Sequence, residues 1–257
     1  HKKKLAGHTP NTSVTLNRRA NGSWWLTLTF DTQVKQRETD EVVGIDVGIA
    51  NFVTTSTGEQ YGHFDDELKQ RHQRDRKKRQ NKAKLRACLA KKGVPEEQLP
   101  STSSKSSQRL GRHVKQRINR AVNEVFHNHP NATFVIEDLS VRTMRFKSKR
   151  MNAYLYASNL GRIPEKLKWE AAKRGLPLET VQAAYSSQEC NRCHYTAREN
   201  RPNQQTFCCQ RCGYHANADV AASINIANRL HDDELAACPD LVSIKQLLQA
   251  RHRRWSE

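Results

Sequence analysis

A mixed α/β fold, with helices packed on a mixed sheet, is what this sequence predicts. Three observations carry it. Two short β-branched runs, Val42–Ile45 and Thr133–Ile136, each stop on an acid, as buried strands do where they leave a sheet. Leu110, Val114, Ile118, Val122 and Val125 step by four, four, four and three, the spacing of an amphipathic helix. Short strand candidates alternate along the chain with runs of helix formers.

The elements follow in order. Residues 12–31 read as a β-hairpin and, set off by polar residues, as a separate module: Val14 and Leu16, then Leu26, Leu28 and Phe30, alternate with polar residues around an Asn21-Gly22 turn. Val42–Ile45, Asn51–Ser56 and a third strand after Gly58 form an antiparallel meander. Asp65–Lys92 holds no Pro or Gly and few apolar residues, which predicts one long polar helix. Gly93, two prolines and a Ser/Thr cluster make 93–108 a flexible loop, before the amphipathic helix at 109–129. A strand at 133–136 precedes a helical span, 151–174, which Pro164 is expected to break. A strand over Leu178–Ala184, a cysteine-rich segment at 186–215, a helix at 219–230 and a basic helix at 240–254 complete the chain.

The 257 residues carry 44 Lys and Arg against 26 Asp and Glu, a formal charge of +18, and only 36% are hydrophobic. A chain of this length still buries a sizeable core. No run of about 18 apolar residues exists, which excludes a transmembrane helix. The opening residues carry no charged-then-apolar leader, so a cytoplasmic protein is expected. The chain opens on His1 rather than Met and is read as a portion of something longer. Between 67 and 120 stand 18 Lys and Arg against four Asp and Glu, so most of the excess charge sits on the two central helices. Lys69, Arg71, Arg74, Arg76, Lys77, Lys78, Arg79, Arg112, Lys115 and Arg117 are the candidate phosphate contacts.

Seven cysteines include two Cys-x-x-Cys pairs, Cys190/Cys193 and Cys209/Cys212, with fifteen residues between the pairs. Thiolates on two short turns satisfy a tetrahedral Zn²⁺, and a closed four-Cys site has a structural role. Cys208 competes with Cys209, which keeps the two-residue spacer to Cys212; His194 and His215 stand nearby.

Three acids sit at element ends: Asp46 after VVGI, Glu137 after FVI, and Asp219 opening DVAASINIANR. Each alone reads as a strand-exit or helix-start carboxylate. Together at one sheet edge they repel and call for a cation. Mg²⁺ takes such oxygen donors, and two ions flanking a phosphate support in-line displacement. Asp138 competes with Glu137, but strand alternation turns it to the other face. A basic chain with such acids fits a phosphodiesterase acting on nucleic acid.

GIDVGIANFVTTSTG, FVIEDLS and SSQECNRC…CQRCGYHANADVAASINIANR together resemble the C-terminal half of the TnpB (OrfB-type) family, transposon-encoded RNA-guided DNA nucleases related to compact type V CRISPR effectors. The resemblance covers roughly 42–230. It implies a RuvC-like, RNase H-type mixed sheet carrying a basic helical insertion and a zinc-ribbon insertion, preceded by the end of a wedge-type (oligonucleotide-binding) β-barrel. It implies Asp46, Glu137 and Asp219 as catalytic, Mg²⁺-binding carboxylates and Cys190, Cys193, Cys209 and Cys212 as zinc ligands. The parts implied are 1–40 wedge end, 41–64 RuvC-like part I, 65–130 basic insertion, 131–185 part II, 186–216 zinc ribbon, 217–230 part III and 231–257 basic tail. The partners implied are guide RNA and target DNA, with no membrane and a place at the nucleoid. His194 stands where the family usually has Gly, and Ala218 where a basic residue is common. The competing readings are an RNA-guided binder that does not cut and, further off, a junction resolvase or transposase.

Overall fold

The computed structural model describes residues 10–19, 21–30, 33–101, 105–138 and 147–257, with side chains omitted at 10–13 and 105–107. Residues 1–9, 20, 31–32, 102–104 and 139–146 lie outside them, and with them parts of the expected wedge end and hairpin, the tip of the Ser/Thr cluster, the end of the FVIEDLS run and part of the 131–185 segment. The chain divides into two units, His1–Gln36 and Arg37–Glu257.

The first unit holds the expected hairpin, β1 (Pro10–Arg18) antiparallel to β2 (Trp24–Phe30), in the register Val14↔Leu28, Leu16↔Leu26 and Arg18↔Trp24. Gly22 supplies the positive φ of the turn, and Asn21 Oδ1 accepts from the Ser23 amide. Pairing puts Val14, Leu16, Trp24, Leu26 and Leu28 on one face, and all are exposed.

The second unit is built on a five-stranded mixed sheet of order β5-β4-β3-β6-β7. β3 (Glu41–Asp46), β4 (Asn51–Thr55) and β5 (Gln60–His63) form the antiparallel meander. β6 (Ala132–Glu137) runs parallel to β3, and β7 (Leu178–Val181) parallel to β6. β7 is shorter than its sequence signal. β6 ends at Glu137, so the last ladder bond is from the Asp138 amide to the Val181 carbonyl.

The helices cover both faces. α1 (Asp66–Lys91) is the polar helix, N-capped by Asp65, and only Leu68 and Asp75 along it are buried. α2 starts at Lys105, four residues before the expected start at 109, and runs to Asn128. Between them the expected flexible loop contains a 3₁₀ turn at Glu96–Gln98, tied back to α1 by Arg86–Glu96 at 2.8 Å. The 151–174 span is two helices, α3 (Lys149–Ala157) and α4 (Arg162–Arg174). The break falls at 158–161, where Asn159 takes φ +51, and not at Pro164. Pro164 sits in the first turn of α4, where its missing N–H would have had no intrahelical partner. α4 stops on Gly175, left-handed at φ +68.

α2 and α4 bury their apolar stripes against one face of the sheet. Val43, Ile45, Phe134 and Ile136 meet Val114, Ile118, Val122 and Leu167 in one core, and the Phe126 and Phe134 rings lie 4.5 Å apart. The other face carries α5 (Ala218–Asn228). It lies so close to β3 that a Cβ on Gly44 would fall 2.1 Å from the Ser223 carbonyl oxygen. The chain continues through a 3₁₀ turn, a short α6 (Asp233–Ala236) and α7 (Leu241–Ser256), whose Asp240 and Ser243 form a capping box. No helix of the described residues is long and apolar enough to cross a membrane.

Candidate active site and cysteine knuckle

Strand alternation sets where the acids point. In β3, Val43 and Ile45 face α2 and α4, so Gly44 and Asp46 face α5. In β6, Phe134 and Ile136 share the first face, so Val135 and Glu137 share the second. The parallel register Ile45↔Ile136 makes Asp46 and Glu137 neighbours across the two strands. Asp138 turns away and is exposed, so the choice between it and Glu137 is decided by the pleat. Asp219 comes from the first turn of α5, the helix over this face. Its helix is capped by Asn217, which accepts from the Asp219 amide at 3.0 Å, so Asp219 leaves its carboxylate available.

The three carboxylates share one electrostatic neighbourhood. Burial, then the charges of Glu137 and Asp219, push Asp46 from 3.8 up to about 8. Burial also raises Glu137, against a Ser186 hydroxyl that donates to its Oε1 and the positive charges of Arg229 and Arg201. Arg201 donates to Asp219 Oδ1 at 2.8 Å. The acids do not close on a point: among the described residues only the four cysteines bring all their donor atoms within 4.8 Å of one another. An open set of oxygen donors with uncancelled repulsion suits a hard divalent cation that keeps water and phosphate oxygens in its shell. Arg201, Ser186 and Arg229 carry no spacing signal and were not legible in the sequence. Arg201 lies in the loop between the cysteine pairs, and buried Arg229 ends α5, donating to Gln182 O and to Glu189 Oε2 at 3.0 Å.

The cysteine segment is two matching turns. The His194 amide donates to Cys190 O and the Gly213 amide to Cys209 O, at 3.0 and 3.1 Å. The residue after each pair is left-handed, His194 at φ +56 and Gly213 at φ +70. His194 thus occupies a conformation that glycine adopts freely, and its Nδ1 lies 3.0 Å from Glu189 Oε1. Cys193 and Cys209 Sγ are 3.5 Å apart, Cys190 and Cys212 Sγ 3.6 Å. Cys208 lies in β8 (Thr206–Cys208), paired with β9 (His215–Asn217), outside the cluster. Burial pushes the Cys190 thiol up to about 11 and raises Cys193 as well. Thiols this crowded are suited to deprotonation on a soft or borderline cation. The knuckle rests on α5 through Asn191, whose Nδ2 donates to Ala221 O and Asn225 Oδ1. Asn225 in turn donates to Ser186 O, which holds the loop that reaches Glu137.

The basic candidates divide. Lys69 pairs with Asp66, Arg71 with Glu67, and Arg117 with Asp65. Arg74, Arg76, Lys77, Lys78, Arg79, Arg112 and Lys115 are exposed.

The fold is similar to that in a Cas12f1–sgRNA–target DNA complex, with a TM-score of 0.53 at 18% identity, covering 84% of this chain and 55% of that one. Family models match at residues 26–147 (OrfB_IS605, probable transposase) and 161–226 (Cas12f1-like, TNB domain). The chain is thus similar to both families, each over its own stretch of residues. Its relatives include the "Putative RNA-guided DNA endonuclease InsQ" of Escherichia coli K12, 27% identical over 93% of this chain and 61% of that one. A protein of the same description from Streptomyces pristinaespiralis is 30% identical over 84% of this chain and 52% of that one. The chain therefore spans between half and three-fifths of the length of these relatives.

Proposed function

We propose that this chain carries the nuclease part of an RNA-guided DNA endonuclease, with a RuvC-like site that cuts target-DNA phosphodiester bonds. What supports the reading is the self-repelling group of Asp46, Glu137 and Asp219 on one face of the sheet, with Asp46 raised to about 8. Asp46, Glu137 and Asp219 would hold two Mg²⁺ ions, which supply an activated water and stabilise the leaving oxygen of an in-line displacement. Ser186 fixes the direction of the Glu137 carboxylate, and Arg201 holds Asp219. Cys190, Cys193, Cys209 and Cys212 would hold a structural Zn²⁺ and keep the Arg201 loop over the acids.

The wider organisation belongs to the same reading: a wedge-type module ending near 40, RuvC-like parts at 41–64, 131–185 and 217–230, a basic segment at 65–130, a zinc ribbon at 186–216 and a basic tail. The uncovered apolar face of the β1–β2 hairpin is what the last hairpin of a larger barrel would present. Guide RNA pairing would read the sequence while exposed Lys and Arg of α1 and α2 contact phosphates, at the nucleoid in the cytoplasm.

The test uses the full-length parent protein purified with its own RNA. Cleavage of a matched DNA target is measured in Mg²⁺ and in EDTA, alongside Asp219→Ala. Cleavage that needs the metal, the RNA and Asp219 is expected. RNA-dependent binding without cleavage would replace this reading with that of a guided binder.

A further inference from the structure

The helical layer on the far side of the sheet from the acids carries a feature that the nuclease reading does not use. Between α2 and α4 lies an open groove of about 220 Å³. Buried Ile118 is its floor, and the Trp169 indole, 54% exposed, is one wall. Lys115, Arg162 and Lys166 ring it, with Glu165 as the one carboxylate in the lining. The indole is flanked by charge: Lys166 Nζ lies 4.1 Å and Lys173 Nζ 4.9 Å from the ring centroid. Lys166 is stationed there by buried Glu170, whose Oε1 accepts from it at 2.8 Å.

We infer that this groove takes an unpaired nucleotide of a nucleic-acid strand, its base stacked on Trp169 and its flanking phosphates on Lys115 and Arg162. A large exposed aromatic beside an apolar floor offers a π-face to any base, which stacks by displacing the Lys173 ammonium from over the ring. Cations around the rim supply the sequence-independent attraction for phosphate. A concave slot suits a splayed-out base, whereas a duplex presents its backbone and keeps its bases stacked inside. With Lys166 compensated by Glu170, Lys115, Arg162 and Lys173 still outnumber Glu165, which favours a polyanion over a protein surface. The inference concerns the face opposite Asp46 and Glu137 and stands whether or not the acids cut.

The test is fluorescence anisotropy with labelled single-stranded DNA, single-stranded RNA and DNA duplex, using the full chain with Mg²⁺ withheld so that no strand is cut. Trp169→Ala is expected to weaken at least one single-stranded probe about tenfold and the duplex little. Trp169→Phe keeps a ring and is expected to keep most of the affinity. Lys115→Gln is expected to lower the log–log salt slope by about one. Whichever of the DNA and RNA strands loses more identifies the occupant. A thiolated strand of that kind should photo-crosslink to the α4 peptide of the unmutated protein, a readout independent of any variant's folding. Unchanged affinity for both single strands in Trp169→Ala, an equal loss on the duplex, or a change of oligomeric state in place of affinity would each overturn the inference. None of these outcomes bears on Mg²⁺-dependent cleavage, so failure here is distinct from failure of the nuclease reading.

Discussion

The four cysteines come from two turns within one segment, Cys190 to Cys212, whereas the three acids come from two strands and a helix between Asp46 and Asp219. The thiols are closed, with every sulfur within 4.8 Å of the others. The carboxylates share a field but remain apart, Glu137 held by Ser186 and Asp219 by Arg201. Closure commits all four donors to one ion and leaves no place for water or substrate. Openness leaves donors free to share an ion's shell with water and a phosphate. The same physical device, like groups crowded against their preference for solvent, thus suits a structural site in one region and a reactive one in the other.

The largest expected effect would break the closed cluster. Cys193→Ser removes a buried sulfur beneath the turn that carries His194. A bound structural ion contributes many kcal/mol to folding of such a knuckle, so the variant should lose its metal on dialysis and about 10 °C or more of Tm. Metal content and thermal melting check it, and an unchanged Tm would mean that the thiols are merely packed. The open cluster should behave in the opposite sense. Asp46→Ala should leave Tm nearly intact while costing about 10³-fold in cleavage, the several kcal/mol that an ion supplies to the transition state. The measurement is single-turnover cleavage beside a melting curve.

The contrast between the clusters also explains what could be read from the chain. The knuckle is local, so Cys-x-x-Cys spacing alone picked out the four cysteines that cluster, Cys209 rather than Cys208 among them. The meander, the polar α1 and the stripe of α2 were legible because period and turn residues act within a few positions. The acids were legible as strand ends, but their convergence depends on the β3–β6 register, which is set by contacts nearly a hundred residues apart in sequence. Arg201 left no signal, since a loop arginine becomes an acid's partner only through tertiary placement. The helix break was assigned to Pro164 because proline is the stronger punctuation, yet a helix tolerates it in a first turn, and the left-handed Asn159 makes the turn instead. Lys69 and Arg71, two of the candidate phosphate contacts, follow acids by three and four residues, the spacing at which a helix pairs them, and both pairs form.

A smaller effect sharpens the electrostatic half of the comparison. Asp46 is pushed from 3.8 to about 8, so the native state holds a proton there that the unfolded chain releases near pH 4. Without divalent metal, native stability is therefore fullest below about pH 4 on this group's account and falls as pH rises towards 8. Asp46→Asn removes that slope and should raise Tm at pH 8 in EDTA by a few degrees. Mg²⁺ should narrow the difference by stabilising the ionised carboxylate. A melting series across pH 5–8 that shows the same slope in both proteins would place the acids too far apart to matter to one another.

Arg201 joins the two clusters, because its backbone belongs to the cysteine segment and its guanidinium to the acids. Its positive charge lowers both Asp46 and Glu137. Arg201→Gln should therefore move the Asp46 titration to still higher pH, and the pH at which Tm stops falling in the absence of Mg²⁺ should follow it upward. The shift should be about a unit or less, since several other groups act on the same carboxylate. The knuckle itself should keep its metal, as no thiol depends on Arg201. If metal loss accompanied the shift, Arg201 would be a structural tie of the knuckle first, and the acids would feel it only through the fold. If the titration moved alone, the closed site would be acting on the open one through a single charged side chain.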